Sequence, residues 1–201
     1  MHIKGGTSDA HRVGLGIELE AATLEAAVAS ARSMPPAGWL DLNVSPQLLL
    51  DVPLVAGILR RELRPWPARF VLELAEHAPI EDYAALRGAI DAHGPGVDLA
   101  VDDAGAGFAS LRHILELRPR FVKLDIGLVS GVDRDPARQA MIAGMVHFAA
   151  ETDCVLVGEG VESEAERRAL RRLRVSLGQG YLFGRPGAAE DLVRDGRHAR
   201  G

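Results

Sequence analysis

Acids and amides placed directly after apolar runs are the residues of this chain that could do chemistry, and the chemistry they suit is the binding of a hard divalent cation. Asp102-Asp103-Ala104-Gly105-Ala106-Gly107 carries the clearest case. Adjacent carboxylates at the end of an apolar strand repel one another and lose hydration, so a positive charge must neutralise them. A divalent cation does this through oxygen ligands. An Asp102 aimed into a site could bridge two metals while Asp103 serves one, and the glycines permit a tight loop beside them. Taken alone, the pair also reads as a solvated strand-to-helix turn with aspartate as the cap.

The remaining segments follow the same plan. Glu73 and Glu76, in Glu73-Leu74-Ala75-Glu76, come after Phe70–Leu72. Glu73 fits a metal ligand, and Glu76 fits either a loop anchor or a helix cap. Asn43 ends an apolar strand and offers an amide oxygen to a cation or to an Asx-turn. Lys123 and Asp125 alternate and are expected on one strand face. There they could hold or deprotonate a water, or form a buried ion pair. Glu159, in Glu159-Gly160-Val161-Glu162, is another metal carboxylate. Glu162 supports it or is a first-turn acid of the next helix. Gln179 closes the series, beside a glycine that permits close approach of a ligand.

The elements that must carry these groups alternate. A helix is expected over 18–33, with Leu19, Leu24, Ala27 and Val28 on its apolar face, and Pro35-Pro36 ends it. Strands are expected at 40–44, 69–74, 97–102, 121–125, 154–159 and about 175–179. Helices are expected at about 47–63, 80–93, 108–116, 136–151, 163–173 and 188–194. Such alternation implies a parallel sheet covered on both faces. An open doubly wound sheet and a closed barrel both satisfy it. Polar groups at all six strand ends favour the barrel, because those ends converge on one mouth.

Composition removes other classes. The chain has 201 residues, 47% hydrophobic and 25% charged, as in an ordinary globular domain. A net charge of −5 argues against general nucleic-acid binding. The single cysteine, Cys154, excludes an internal disulfide, sits in an apolar run as a buried thiol, and fits a reducing cytoplasm. No run approaches a membrane span, and the N-terminus lacks a signal-peptide core. The seven histidines lack zinc spacing, Ser110 lacks a nucleophile elbow, and no Gly-Lys-Ser/Thr is present. Trp39 and Trp66 read as packing residues. Arg167, Arg168, Arg171 and Arg172 read as a solvated helix face.

Asn43-Val44-Ser45-Pro46, Glu73-Leu74-Ala75-Glu76, Asp102 to Gly107, Lys123-Leu124-Asp125, Glu159-Gly160-Val161-Glu162 and Gln179-Gly180-Tyr181-Leu182-Phe183-Gly184-Arg185-Pro186 occur in the order and spacing of the EAL domain, which the chain resembles from about residue 13 to 194. The resemblance implies a modified (β/α)8 TIM-like barrel and hydrolysis of cyclic di-GMP to pGpG with Mg2+ or Mn2+, by two-metal in-line attack of water. By position, Asn43, Glu73, Asp102, Asp103 and Glu159 resemble its metal ligands. Lys123 and Asp125 resemble its water-handling residues, and Glu76 its loop anchor. Glu162 and Gln179 match supporting positions, with Asn43 and Gln179 facing substrate. A homodimer, attached sensory or GGDEF domains and a cytoplasmic location are also implied.

The chain departs from the family in lacking any Glu-Ala-Leu triplet. Ala104 stands where phenylalanine is usual, and Ala75 where threonine is common. The expectation is therefore an incomplete barrel of about six strands without the first two, derived from an active parent and itself weak or inactive. The alternative is a cyclic di-GMP sensor or an interaction scaffold. Residues 1–12 are expected to be a leader, 13–196 the barrel domain and 197–201 a tail.

Overall fold

A computed structural model describes residues 16–31, 39–62, 69–74, 79–105 and 108–187. They form α1 (Gly16–Ala31), β1 (Trp39–Asn43), α2 (Pro46–Leu50), α3 (Val52–Glu62), β2 (Arg69–Leu74), α4 (Tyr83–Ala92), β3 (Val97–Ala104), α5 (Phe108–Leu117), β4 (Phe121–Leu124), α6 (Ile126–Val129), α7 (Pro136–Thr152), β5 (Val155–Gly158), α8 (Glu164–Arg172) and β6 (Leu177–Gly178). The six strands lie in chain order, and every described pair is parallel. These are the repeated β/α units expected from the sequence.

The chain divides into two compact units, one over residues 1–99 and 186–198, the other over 100–185 and 199–201. In the first unit, β1 and β2 pair in register, with Asn43 opposite Glu73. Leu42, Val71 and Leu72 are buried there. Helix α1 buries Leu24, Ala27 and Val28 as expected, but not Leu19. Leu19 is 46% exposed, whereas Glu20 lies buried beside Ala21, Leu24, Ala27 and Val28. A carboxylate is tolerated inside only with donors. Glu20 finds them in the backbone N–H and the hydroxyl of Ser45, the latter at 2.7 Å. Ser45 in turn caps α2 by accepting from Leu48 N at 3.1 Å. The single helix expected over 47–63 is two, parted at Asp51, whose side chain accepts from Leu54 N at 3.2 Å.

The second unit is built on Val101, Val122, Leu124, Val129, Ile142 and Leu156, all buried. The one unexpected helix, α6, is a single turn and too short to show a period. Its N-cap is Asp125, whose Oδ1 accepts from Gly127 N at 2.8 Å. Strand β4 accordingly stops at Leu124, one residue sooner than expected. Cys154 is half-buried rather than buried. Trp39 is 45% exposed, against its expected packing role. Trp66, the segments 1–12 and 197–201, and the helix expected at 188–194 lie outside the described residues.

Candidate metal centre at the ends of β3, β4 and β5

Successive residues of a regular strand point to opposite faces, so Asp102 and Asp103 should diverge. They do not. The β3–β4 register shifts between Val101 and Ala104. Asp103 also adopts a left-handed backbone, φ +53°. A bulge of this kind re-aims a side chain. One carboxylate oxygen from each of Asp102, Asp103 and Glu159 then lies within 4.8 Å of the other two. Aspartate is among the few residues that accept this backbone region at modest cost.

Lys123 stands between these acids. It is 2% exposed, and its Nζ lies 2.6 Å from Glu159 Oε1 and 3.4 Å from Asp102 Oδ1. The ion pairs of Lys123 therefore run to neighbouring strands, while Asp125 commits an oxygen to the α6 cap. Gln179 Nε2 also donates to Glu159 Oε1. Glu159 is thus held by two donors, yet burial pushes its pKa up to about 7. The lysine ammonium opposes that rise, and the Asp102 carboxylate adds to it. Three acids with one ammonium remain electron-rich. Hard oxygen donors at this spacing fit a divalent cation.

The loop that presents Glu159 is fixed from several sides. Glu159 N donates to Leu124 O at 3.1 Å, and Val161 N to Gln179 O at 3.0 Å. Leu182 N donates to Val161 O at 3.1 Å. Gly180, at φ +152°, admits this approach: a Cβ there would fall 2.3 Å from Val161 N and O. Glu162 is exposed, and its backbone N rather than its carboxylate joins the network.

In the first unit, Glu73 is fully buried at the end of β2 beside the exposed Asn43. Val44 N donates to Glu73 O at 3.0 Å. Glu76 lies outside the described residues. Two carboxylates escaped the sequence reading. Glu20 gave little signal beyond its place among apolar neighbours. Glu166 was legible as the last residue of the capping box Ser163-Glu164-Ala165-Glu166.

Six parallel β/α units with an acidic, lysine-bearing cluster after β3, β4 and β5 fit an incomplete (β/α)8-type barrel whose oxygen donors suit a divalent cation. A family model, the EAL domain, matches residues 4–186. The chain belongs to the EAL domain family. It is similar to the Pseudomonas aeruginosa cyclic di-GMP phosphodiesterase RocR, 35% identical over 150 residues, covering 73% of this chain and 38% of RocR. The crystal structure of the EAL domain of Mycobacterium smegmatis DcpA matches at TM-score 0.79 and 29% identity, covering 90% of this chain and 86% of that one. A manganese/cyclic di-GMP complex of Klebsiella pneumoniae BlrP1 matches at TM-score 0.70 and 28% identity, covering 85% of this chain and 45% of that one. The chain spans 28%, 38% and 32% of the length of three curated relatives that it matches. Among the described residues no helix is long and apolar enough to cross a membrane.

Proposed function

We propose that the chain is a cyclic di-GMP phosphodiesterase domain that hydrolyses one phosphodiester to give pGpG. The observation that carries this reading is the junction of Asp102, Asp103 and Glu159 around Lys123. These three acids are the residues that would hold Mg2+ or Mn2+, a role that the family resemblance also gives to Asn43 and Glu73. Bound cations would supply Lewis-acid charge to the phosphate and lower the pKa of water. Lys123, charged between two acids, donates hydrogen bonds and so orients the attacking water rather than deprotonating it. The free oxygen of Asp125 takes the proton. Water adds to phosphorus, the P–O3′ bond breaks, and the departing 3′ oxygen takes a proton from bulk water, to which Asp125 later returns its own. The family resemblance gives Glu76 the part of a loop anchor, Glu162 would support the Glu159 loop, and Gln179 would orient Glu159 and the substrate.

One feature of the sequence favours low activity: it contains no Glu-Ala-Leu triplet, whose glutamate would complete the ligand set. Missing even a supporting partner commonly lowers metal affinity or activity about 10–100-fold. The same feature favours a second reading, a cyclic di-GMP sensor or interaction scaffold. A homodimer and attached sensory or GGDEF domains belong to the proposal, with a cytoplasmic location. Incubation with cyclic di-GMP and Mn2+ decides between the readings. Slow release of pGpG supports the enzyme, binding without product supports the sensor, and neither binding nor product defeats both of these and leaves the interaction scaffold.

A further inference from the structure

Glu166 lies outside the acidic cluster and is 8% exposed. Its Oε1 accepts from Gly131 N at 2.9 Å. Its Oε2 accepts from Glu162 N at 3.1 Å and Ser163 N at 2.9 Å. A capping box requires only the bond to the N-cap amide, here Ser163. The bonds to Gly131 and Glu162 are additional, and they reach two different loops. Gly131 lies in the turn after α6, the helix that opens three residues beyond Lys123. Glu162 lies three residues beyond Glu159. The two loops also touch directly, since a Cβ on Gly160 would fall 2.5 Å from the Ile126 side chain. Burial alone would raise the Glu166 pKa, but its backbone and Ser163 hydrogen bonds outweigh burial and hold it below the ordinary value. It is a charged acceptor at neutral pH.

We propose that Glu166 is a positioning residue for the divalent-cation site, a buried brace that joins the loops after β4 and β5 and so sets how Glu159 meets Lys123 and Asp102. This rests on the reading of Asp102, Asp103 and Glu159 as cation ligands. Without the brace, the Glu159 loop keeps its bonds to Leu124 and Gln179 but loses its tie to the Gly131 turn.

The test is Mn2+ binding by the full chain, followed through the electron paramagnetic resonance signal of free Mn2+, with urea unfolding in parallel. Glu166→Ala removes all three acceptor contacts, and its Mn2+ affinity is expected to fall about 10–100-fold. Glu166→Gln keeps one acceptor oxygen and is expected to fall between it and the wild type. Ser163→Ala removes the cap hydroxyl, costing about 1 kcal/mol of stability, while its amide still reaches Glu166. Its Mn2+ affinity is expected to be unchanged. Wild-type affinity in Glu166→Ala overturns the proposal, as does an equal loss in Ser163→Ala. Should Glu166→Ala not fold, wild-type affinity in Glu166→Gln overturns it. A wild-type chain that takes up no Mn2+ overturns the cation-site reading and this inference with it. Mn2+ uptake by the wild type with an indifferent Glu166→Ala overturns this inference alone.

Discussion

Replacing Lys123 with methionine removes the one ammonium that stands among the acids of the candidate metal centre. At an effective permittivity of 20, its contact with Glu159 at 2.6 Å amounts to about 6 kcal/mol, and that with Asp102 at 3.4 Å to about 5 kcal/mol. Dehydrating the ammonium offsets several kcal/mol of that attraction, and the variant no longer incurs this cost. Breaking a buried pair from one side leaves a net loss of about 3–5 kcal/mol. The loss is expected to be largest near pH 8, where Glu159 of the folded wild type is charged. It shrinks toward pH 5, where Glu159 takes up a proton. Mn2+ restores the missing positive charge, so the cation is expected to stabilise Lys123→Met more than the wild type. At a free concentration of 100 times the variant's dissociation constant the variant gains about 2.7 kcal/mol, and a wild type that binds tenfold more weakly gains about 1.4 kcal/mol at the same concentration. Urea unfolding at pH 5 and pH 8, with and without Mn2+, measures all four states. A variant that is equally destabilised at both pH values, or that Mn2+ stabilises no more than the wild type, would refute the account of Lys123 as the charge that stands in for metal.

Further outcomes follow from the same geometry. Glu159 titrates near 7 when folded, above its ordinary 4.5, so its contribution to metal-free stability is complete below pH 4.5 and is lost as pH rises through 7. Cation binding needs the deprotonated form, so Mn2+ affinity is expected to rise about tenfold per pH unit below 7 and to level off above it; calorimetric titration from about pH 5.5 to about pH 8.5 checks this. Asp103→Gly relieves a left-handed backbone while deleting a ligand. Its thermal midpoint is expected to hold or rise, by about 1 kcal/mol in stability, as its Mn2+ affinity falls. Gly180→Ala forces a methyl into the Val161 backbone, where no side chain can yield. A loss of about 1–3 kcal/mol or more in urea unfolding is expected. Glu20→Ala leaves the Ser45 amide and hydroxyl without their buried acceptor. A loss of about 1–3 kcal/mol is expected, measured the same way.

Several of these residues could be read before any coordinates. Local pattern is sufficient for the β/α alternation, because apolar runs bounded by Ser-Pro, Asp and Gly signals depend on neighbours in the chain. The same holds for the acids that follow the strands, for the Ser45 cap, and for the capping box at Ser163. Leu19, Trp39 and the end of β4 at Asp125 were misread. A helical period does not say which flank meets the core, and a one-turn helix leaves no period at all.

What the sequence determined by itself is the inventory: parallel β/α units, oxygen donors after successive strands, and a lysine among them. What only the tertiary structure decided is their meeting. Asp102 and Asp103 reach one site because β3 slips register against β4 and Asp103 turns left-handed. Lys123 serves Asp102 and Glu159 because three separate strands place them within contact. The brace at Glu166 likewise joins Gly131 and Glu162, 35 and 4 residues away along the chain. Such pairings are set by strand register and loop packing, which no local window of residues contains.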